Sequence, residues 1–418
     1  MVSILRWNPS ISVKNPRLLI SAGIGLMAFG QLILIRTGFR NLEVSEYGQL
    51  LRYVSLYAII TVIFGGPAMT LAILNFKDGK IVSDVSKLLT NIASCAFLCC
   101  LALSSYGIVK GNSYIVNNAT FTGIAIFSVY VNSAQRGSLA SKGKWLGVFV
   151  ALSLEGTLKT LFLLINQLFA TTNELGYFVS LIIIPQLIAT GILSMRANPF
   201  EVLSQHEKRR TSVLLSLKEL SSIWIAGAGS VLATALPIFV ITNKNFDVNQ
   251  GKILATSLIL FRVPISFLSA ALTPFTVEEA RSFQERGQTM SLVGFRQFFK
   301  DNGFKLSSFS AVYTVMAMTL LIVFFGLPII PVVEIGIVIM FSTQLYFWGE
   351  SMSSVMQAQE RFLLAVPGWL VSTLVLWISL FFSQDNSIWI STTLVISGGT
   401  LVAVQHLIFF YAISKSAQ

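Results

Sequence analysis

Arg262 is the residue of this sequence best placed to bind a charged ligand, because it lies near the middle of the apolar stretch Gly251–Pro274. At 1.5 Å per residue, a helix of about 24 residues crosses a hydrocarbon core of about 30 Å. An arginine at that depth costs at least about 2.5–3.5 kcal/mol on insertion scales, so it needs a partner, water or a ligand. Pro264 follows closely and leaves backbone carbonyls exposed. The pattern predicts a binding site inside a membrane.

Glu155 and Lys159 form a second chemical feature, since they lie four residues apart in another apolar stretch and share one face of a predicted helix. Such a pair either neutralises itself, so that the span can insert, or faces a wet cavity inside a helix bundle. Glu350, in a later apolar stretch, either pairs with Arg262 across the two halves or lies near the cytoplasmic interface of the membrane.

Further polar residues lie in the first two apolar stretches. Arg36 and Arg52 either reach the lipid headgroups or line a cavity, and Gln31 either lines that cavity or bonds to a neighbouring helix. Such a cavity would be cationic on balance, which suits an anionic substrate such as a phosphate or pyrophosphate group. The predicted substrate-binding residues are Arg262, Lys159, Glu155, Glu350, Arg36, Arg52 and Gln31.

The composition is that of an integral membrane protein. Hydrophobic residues make up 54% of the chain and charged residues 11%, whereas a soluble domain carries about 25% charged residues. The 29 Lys and Arg residues outnumber the 18 Asp and Glu residues, and cytoplasmic loops explain this excess without a nucleic-acid partner. The sequence contains no phosphate-binding glycine loop, HExxH motif or paired Cys/His spacing, so neither an enzyme, a cofactor nor a bound metal is predicted.

About twelve apolar stretches are long enough to span a bilayer. A basic loop, Arg196–Lys218, separates six of them from the other six, which predicts an all-α polytopic membrane protein with two six-helix bundles, residues 1–205 and 206–418. Most Lys and Arg residues fall in the termini and in the loops after even-numbered spans, so both termini are predicted to be cytoplasmic. The predicted spans are 18–36, 50–74, 85–109, 115–135, 145–169, 176–195, 220–241, 251–274, 306–326, 332–356, 363–382 and 388–412.

The segment Arg36–Lys80 resembles the opening of polysaccharide flippases, which belong to the multidrug, oligosaccharidyl-lipid and polysaccharide exporter (MOP) superfamily. In that family the first two spans are joined by a segment like L-x-x-x-E-[YF]-G, and Leu42, Glu46, Tyr47 and Gly48 match it here. A second such segment precedes span eight in the family. Asn249-Gln250-Gly251 is a less similar version of that second segment.

The resemblance implies a flippase of the cytoplasmic (inner) membrane. It would move undecaprenyl-pyrophosphate-linked oligosaccharide repeat units by alternating access, for the assembly of O-antigen, capsule or exopolysaccharide. Its expected partners are this lipid-linked oligosaccharide, membrane lipids, a glycan polymerase and a chain-length regulator. Arg262 lies in the span where such families often carry a cavity cation.

Two other functions are compatible with the sequence. A cation-coupled extruder of multidrug or toxic compounds belongs to the same superfamily and would favour acidic residues in its cavity. A polysaccharide polymerase would carry a large basic outer loop, whereas the predicted outer loops are short. The charge of the cavity therefore distinguishes the flippase from the extruder.

Overall fold

A computed structural model describes residues 16–69, 72, 82–141, 144–169, 174–194, 256, 308, 311–312, 314–358, 362–382 and 387–416. Every regular element among these residues is helical. In chain order the helices are α1 (Pro16–Asn41), α2 (Val44–Ile60, continued by a π-helical turn, Thr61–Gly65), α3 (Val82–Val109), α4 (Ser113–Ser141), α5 (Trp145–Phe169), α6 (Leu175–Ser194), α7 (Thr314–Phe324, whose last turn from Leu320 is π-helical), α8 (Ile329–Ala358), α9 (Phe362–Phe382) and α10 (Ser387–Ser416).

The prediction of an all-α polytopic membrane protein is confirmed. Among the described residues, seven helices are long and apolar enough to cross a membrane, and three shorter apolar helices accompany them. Ten of the predicted spans overlap described helices. The predicted spans 220–241 and 251–274, and with them Arg262, lie outside the described residues, apart from Thr256.

The apolar pattern is almost continuous between the predicted spans 306–326 and 332–356, where α7 ends and α8 begins. The structure ends α7 with Gly326, whose φ of 67° is in the left-handed region that favours glycine. Leu327 donates its backbone N–H to the Leu321 carbonyl at 3.3 Å, which satisfies one of the last carbonyls of the helix. Pro328 then precedes the first turn of α8. Two separate spans are therefore present, as predicted.

Contacts divide the chain into two compact units. One unit consists of Met1–Gln31, Phe64–Ile165 and Leu181–Leu217. Its hydrophobic core includes Leu139, Val148 and Leu152, against which Met27 of α1 packs. The other unit consists of Leu32–Ile63, Asn166–Ser180 and Lys218–Gln418. The second unit thus includes segments that precede residue 205, and the division into bundles 1–205 and 206–418 stays a prediction.

In the second unit, α8, α9 and α10 pack against one another. Tyr346 of α8 stacks on Trp369 of α9, with ring centroids 6.3 Å apart, and its hydroxyl lies 2.6 Å from the Ser397 hydroxyl of α10. Ser353 accepts hydrogen bonds from the Trp369 indole N–H at 2.9 Å and from the Gln405 amide at 3.0 Å. Buried polar groups therefore join these three helices, as expected where water is absent.

The orientation of the chain in the membrane stays a prediction and has a direct test. We expect a cysteine placed at Gln205 to resist an impermeant thiol reagent added from outside, and one at Asn173 to react. Both positions lie outside the described residues. Cys95 and Cys99 are exposed on α3 and would be replaced first. Labelling at Gln205 with protection at Asn173 would reverse the assignment of the termini.

Candidate functional site

The Lys159 ammonium lies at the centre of a buried polar group within the first unit. Its Nζ donates to Glu155 Oε1 at 2.9 Å and to Gln31 Oε1 at 3.2 Å. The side chains of Lys159 and Glu155 are only 2% and 5% exposed. Because α5 makes one turn between residues 155 and 159, the two charges meet on one face of that helix. The ion pair that the spacing predicts is present, together with the bridge from Gln31.

A close crossing of α1 and α5 brings Gln31 to this pair. A Cβ added at Gly30 would lie 2.5 Å from the carbonyl oxygen of Gly156 and 2.8 Å from its Cα. A Cβ added at Gly156 would overlap the backbone carbonyl of Leu26. The two backbones can touch only because both residues are glycines, an arrangement frequent between membrane helices. Gln31 and Glu155 are the sequence neighbours of these glycines, so the crossing places their side chains at the same level.

The burial of this group agrees with one of its two interpretations, the pair that neutralises itself. The carboxylate and the ammonium are both enclosed, whereas charged groups that line a wet cavity are in contact with solvent. The observed geometry is that of a self-neutralising pair, in which each charge offsets the desolvation of the other. Gln31 accepts a hydrogen bond from Lys159 of the neighbouring helix α5. Binding of substrate by Gln31, Glu155 and Lys159 stays a prediction.

An aromatic cluster in the second unit surrounds Arg36. The guanidinium carbon of Arg36 lies 5.1 Å from the ring centroid of Phe324 and 5.6 Å from that of Phe325, within the range of a cation–π interaction. Phe39 packs edge-on against both Phe325 and Tyr47, with centroids 5.4 Å apart in each case. The Arg36 charge is thus held over aromatic faces, and the cluster joins α1 and α2 to the end of α7.

The L-x-x-x-E-Y-G segment has structural roles in this cluster. The backbone N–H of Glu43 donates to the Glu46 carboxylate at 3.4 Å, which supports the first turn of α2. Tyr47 is buried, and its hydroxyl lies 2.8 Å from the hydroxyl of Thr256. Leu42 is buried as well, whereas a Cβ at Gly48 would meet no atom within 4 Å. The segment therefore fixes the start of α2 and attaches it to residue 256.

A ladder of polar pairs joins α4 to α6. The Ser128 hydroxyl donates to the Gln186 side chain at 3.3 Å, and the Asn132 amide donates to the Thr190 hydroxyl at 3.0 Å. The Gln135 amide donates to the Ser194 hydroxyl at 2.6 Å. The spacing of about one helical turn puts the pairs on one face of each helix. These hydrogen bonds hold α4 and α6 together within the first unit.

The remaining predicted residues are placed as follows. Arg52 is half-buried on α2, in the second unit with Arg36. Glu350 lies in α8, but its side chain is outside the described part of the structure, as is the whole of Arg262. The structure brings together Gln31, Glu155 and Lys159, and a pairing of Glu350 with Arg262 stays a prediction.

Sequence reasoning missed the glycine crossing and the aromatic cluster. Gly30 and Gly156 directly adjoin Gln31 and Glu155, so a small residue beside each polar residue was a usable signal for a close helix crossing. The aromatic cluster had no comparable signal, because its members come from three separate helices. In an apolar chain with 12% aromatic residues, individual phenylalanines are not distinctive.

The fold of the chain is that of the multidrug resistance MATE transporters of the MOP superfamily, which have twelve transmembrane helices in two bundles. One similar structure is an outward-facing multidrug resistance MATE family transporter of the MOP superfamily, with a TM-score of 0.59, 13% sequence identity, and coverage of 99% of this chain and 98% of that chain. A point mutant of a MATE protein also matches at a TM-score of 0.59, with 14% identity over 99% of this chain and 98% of that chain. The predicted fold class is confirmed.

A third similar structure is a MOP superfamily transporter from Pyrococcus furiosus, for which a reversed polarity of the binding pocket suggests a different function. Its TM-score is 0.57 at 14% identity, with coverage of 100% of this chain and 98% of that chain. No family model and no curated protein matches the sequence. At 13–14% identity, the structural match establishes the common fold alone, and the substrate must be argued from the side chains of this chain.

Proposed function

We propose that this protein is an alternating-access transporter of the MOP superfamily. The observation that carries the proposal is the match to these transporters along nearly the whole length of both chains. Two further observations support it. The chain has many membrane-spanning helices, and buried charged and polar groups lie within them, where transporters bind substrates and ions.

The comparisons favour a multidrug extruder as the first candidate function. The similar structures include a multidrug resistance transporter, and several other matches are MATE proteins. Extruders of cationic compounds would place an acidic side chain in the binding cavity, since a carboxylate attracts a cation most strongly where water is scarce. Among the described residues, the one buried carboxylate is that of Glu155, and Lys159 neutralises it.

The charges of the chain favour the second candidate, a flippase for a lipid-pyrophosphate-linked oligosaccharide. Arg36 and Arg52 lie half-buried in spans of the second unit, and Arg262 lies in a predicted span. Arginine binds phosphate oxygens through two parallel N–H donors, so cations at these positions suit an anionic headgroup. The Pyrococcus furiosus protein is a MOP transporter for which a reversed polarity of the binding pocket suggests a different function, so the polarity of the pocket is not the same in every protein with this fold.

A pair of complementation experiments tests the transporter proposal and separates the two candidates. The chain is expressed in a bacterium that lacks its main drug extruder and in one that lacks its oligosaccharide flippase. Rescue of resistance to lipophilic cations identifies an extruder, and restored surface polysaccharide identifies a flippase. With membrane abundance verified, failure in both strains would contradict the proposal for these substrate classes.

Arg262 is expected to bind the headgroup if the substrate is anionic. Arg262→Lys keeps the charge but loses bidentate binding, so complementation should fall partway. Arg262→Ala removes the charge, and transport should fall at least tenfold while membrane abundance is maintained or increases. Arg40→Ala, a change at an exposed arginine, is the matched control and should complement fully. Full complementation by Arg262→Ala at normal abundance would make Arg262 a structural cation.

A further inference from the structure

We propose that the Lys159 ammonium occupies a cation-binding site that is lined by oxygen atoms and lies between α1 and α5. The ammonium there takes the place of a small monovalent cation such as Na⁺, K⁺ or free ammonium, which the site would bind if the lysine were absent. The lysine makes the first unit independent of such ions at this position. The inference does not depend on which substrate the protein transports.

The geometry around Nζ supplies the first argument. The ammonium donates to a carboxylate oxygen at 2.9 Å and to an amide oxygen at 3.2 Å, and these two oxygens come from different helices. Oxygen atoms of carboxylates and amides are also the groups that replace the hydration shell of a small metal cation in proteins. Oxygens at comparable positions can therefore bind a free cation when the ammonium is absent.

The charge balance supplies the second argument. Glu155 and Lys159 are the only charged side chains among the fully buried residues that the structure describes. The Glu155 carboxylate requires one positive charge, because an unpaired ion at this depth costs several kcal/mol. A tethered ammonium meets that requirement at every salt concentration, since it cannot diffuse away.

The rigidity of the site supplies the third argument. The glycine contact between Gly30 and Gly156 holds the two backbones together on the side of Gln31 and Glu155. That contact does not involve Lys159. Shortening the lysine side chain should therefore leave the two oxygen ligands in place around an unfilled space large enough for a small cation.

The test compares thermal unfolding of the purified, detergent-solubilised full chain in chloride salts of Na⁺, K⁺, methylammonium and choline at equal ionic strength. Choline is the reference, since its bulk excludes it from a lysine-sized space. The variants are wild type, Lys159→Ala, and the double variant Glu155→Gln/Lys159→Ala. The double variant has the same cavity without the negative charge, so it controls for non-specific salt effects.

We expect Lys159→Ala to melt about 2–4 °C higher in at least one small cation than in choline, as binding to the folded state requires. Wild type and the double variant should show no such difference. A variant Lys159→Ala that folds only in a small cation also supports the site. The inference is overturned if Lys159→Ala responds no more than the double variant does. It is equally overturned if Lys159→Ala folds in none of the salts while the double variant folds in all of them.

Discussion

Replacing Gly30 by leucine is expected to remove most folded protein from the membrane, whereas Gly25→Leu is expected to leave its abundance close to that of wild type. Both glycines lie on α1, so the two changes have the same effect on helix propensity. A Cβ at Gly30 meets the backbone of Gly156, while a Cβ at Gly25 meets no atom within 4 Å. The difference between the variants therefore measures the helix crossing alone.

The loss of folded protein in Gly30→Leu is expected to be large because the backbone of α5 would have to move. A flexible side chain can rotate away from an added methyl group, but the obstacle at Gly30 is the backbone of α5. Overpacking of a core already costs about 1–3 kcal/mol, and displacement of a helix backbone should cost more. Fluorescence-detected size exclusion of tagged protein measures the folded fraction. Equal monodisperse yields of the Gly30 and Gly25 variants would show that α1 and α5 do not touch at Gly156.

The second large effect is expected at the Glu155–Lys159 pair. Glu155→Gln and Lys159→Met each leave a lone buried charge, which should destabilise the folded protein by about 3–5 kcal/mol. The double variant buries no charge, so it should be more stable than either single variant. Unfolding of the purified protein, carried out in choline chloride so that no small cation substitutes for the ammonium, gives the coupling between the two residues.

A matched control for this cycle uses a polar pair without charge. Asn132→Leu and Thr190→Val together remove a buried hydrogen bond between α4 and α6. Thr190→Val alone leaves the neutral Asn132 amide unsatisfied, whereas in Asn132→Leu the Thr190 hydroxyl still donates to the Gln186 carbonyl. The expected cost of Thr190→Val is therefore about 1–3 kcal/mol, smaller than for either half of the ion pair. If the changes in unfolding free energy caused by the Glu155 and Lys159 substitutions simply add in the double variant, the two side chains do not act as one unit.

The spans were predictable from sequence because hydropathy and length are local properties. A run of about 20 apolar residues must form a helix in a bilayer, where every backbone group requires an internal partner. The ends were also largely local, as at Gly326, where proline follows and the backbone adopts a positive φ. The residues that divide the chain into compact units were not predictable in this way, because contacts between distant segments decide them.

In the candidate site, too, contacts within one helix were predictable from the sequence, and contacts between distant segments were not. The Glu155–Lys159 pair was predicted because one helical turn separates the residues and no tertiary information is needed. The bond from Lys159 to Gln31 joins residues 128 apart, and the Tyr47–Thr256 bond joins residues 209 apart. Hydropathy does not indicate which helices pack against each other, so these partners are identified only from the three-dimensional structure. Arg36 shows the same limit, since its position over two phenylalanine rings depends on where α7 ends.

The proposal that this chain moves a substrate across a membrane is tested most directly by measuring transport by the purified protein in liposomes. Vesicles are loaded either with a fluorescent lipophilic cation or with a lipid-pyrophosphate carrying a labelled sugar in one leaflet. The account predicts movement of one of these substrates that depends on the protein and saturates with concentration. The folding-defective Gly30→Leu variant should show none. Folded wild-type protein that moves neither substrate faster than protein-free vesicles would contradict the account.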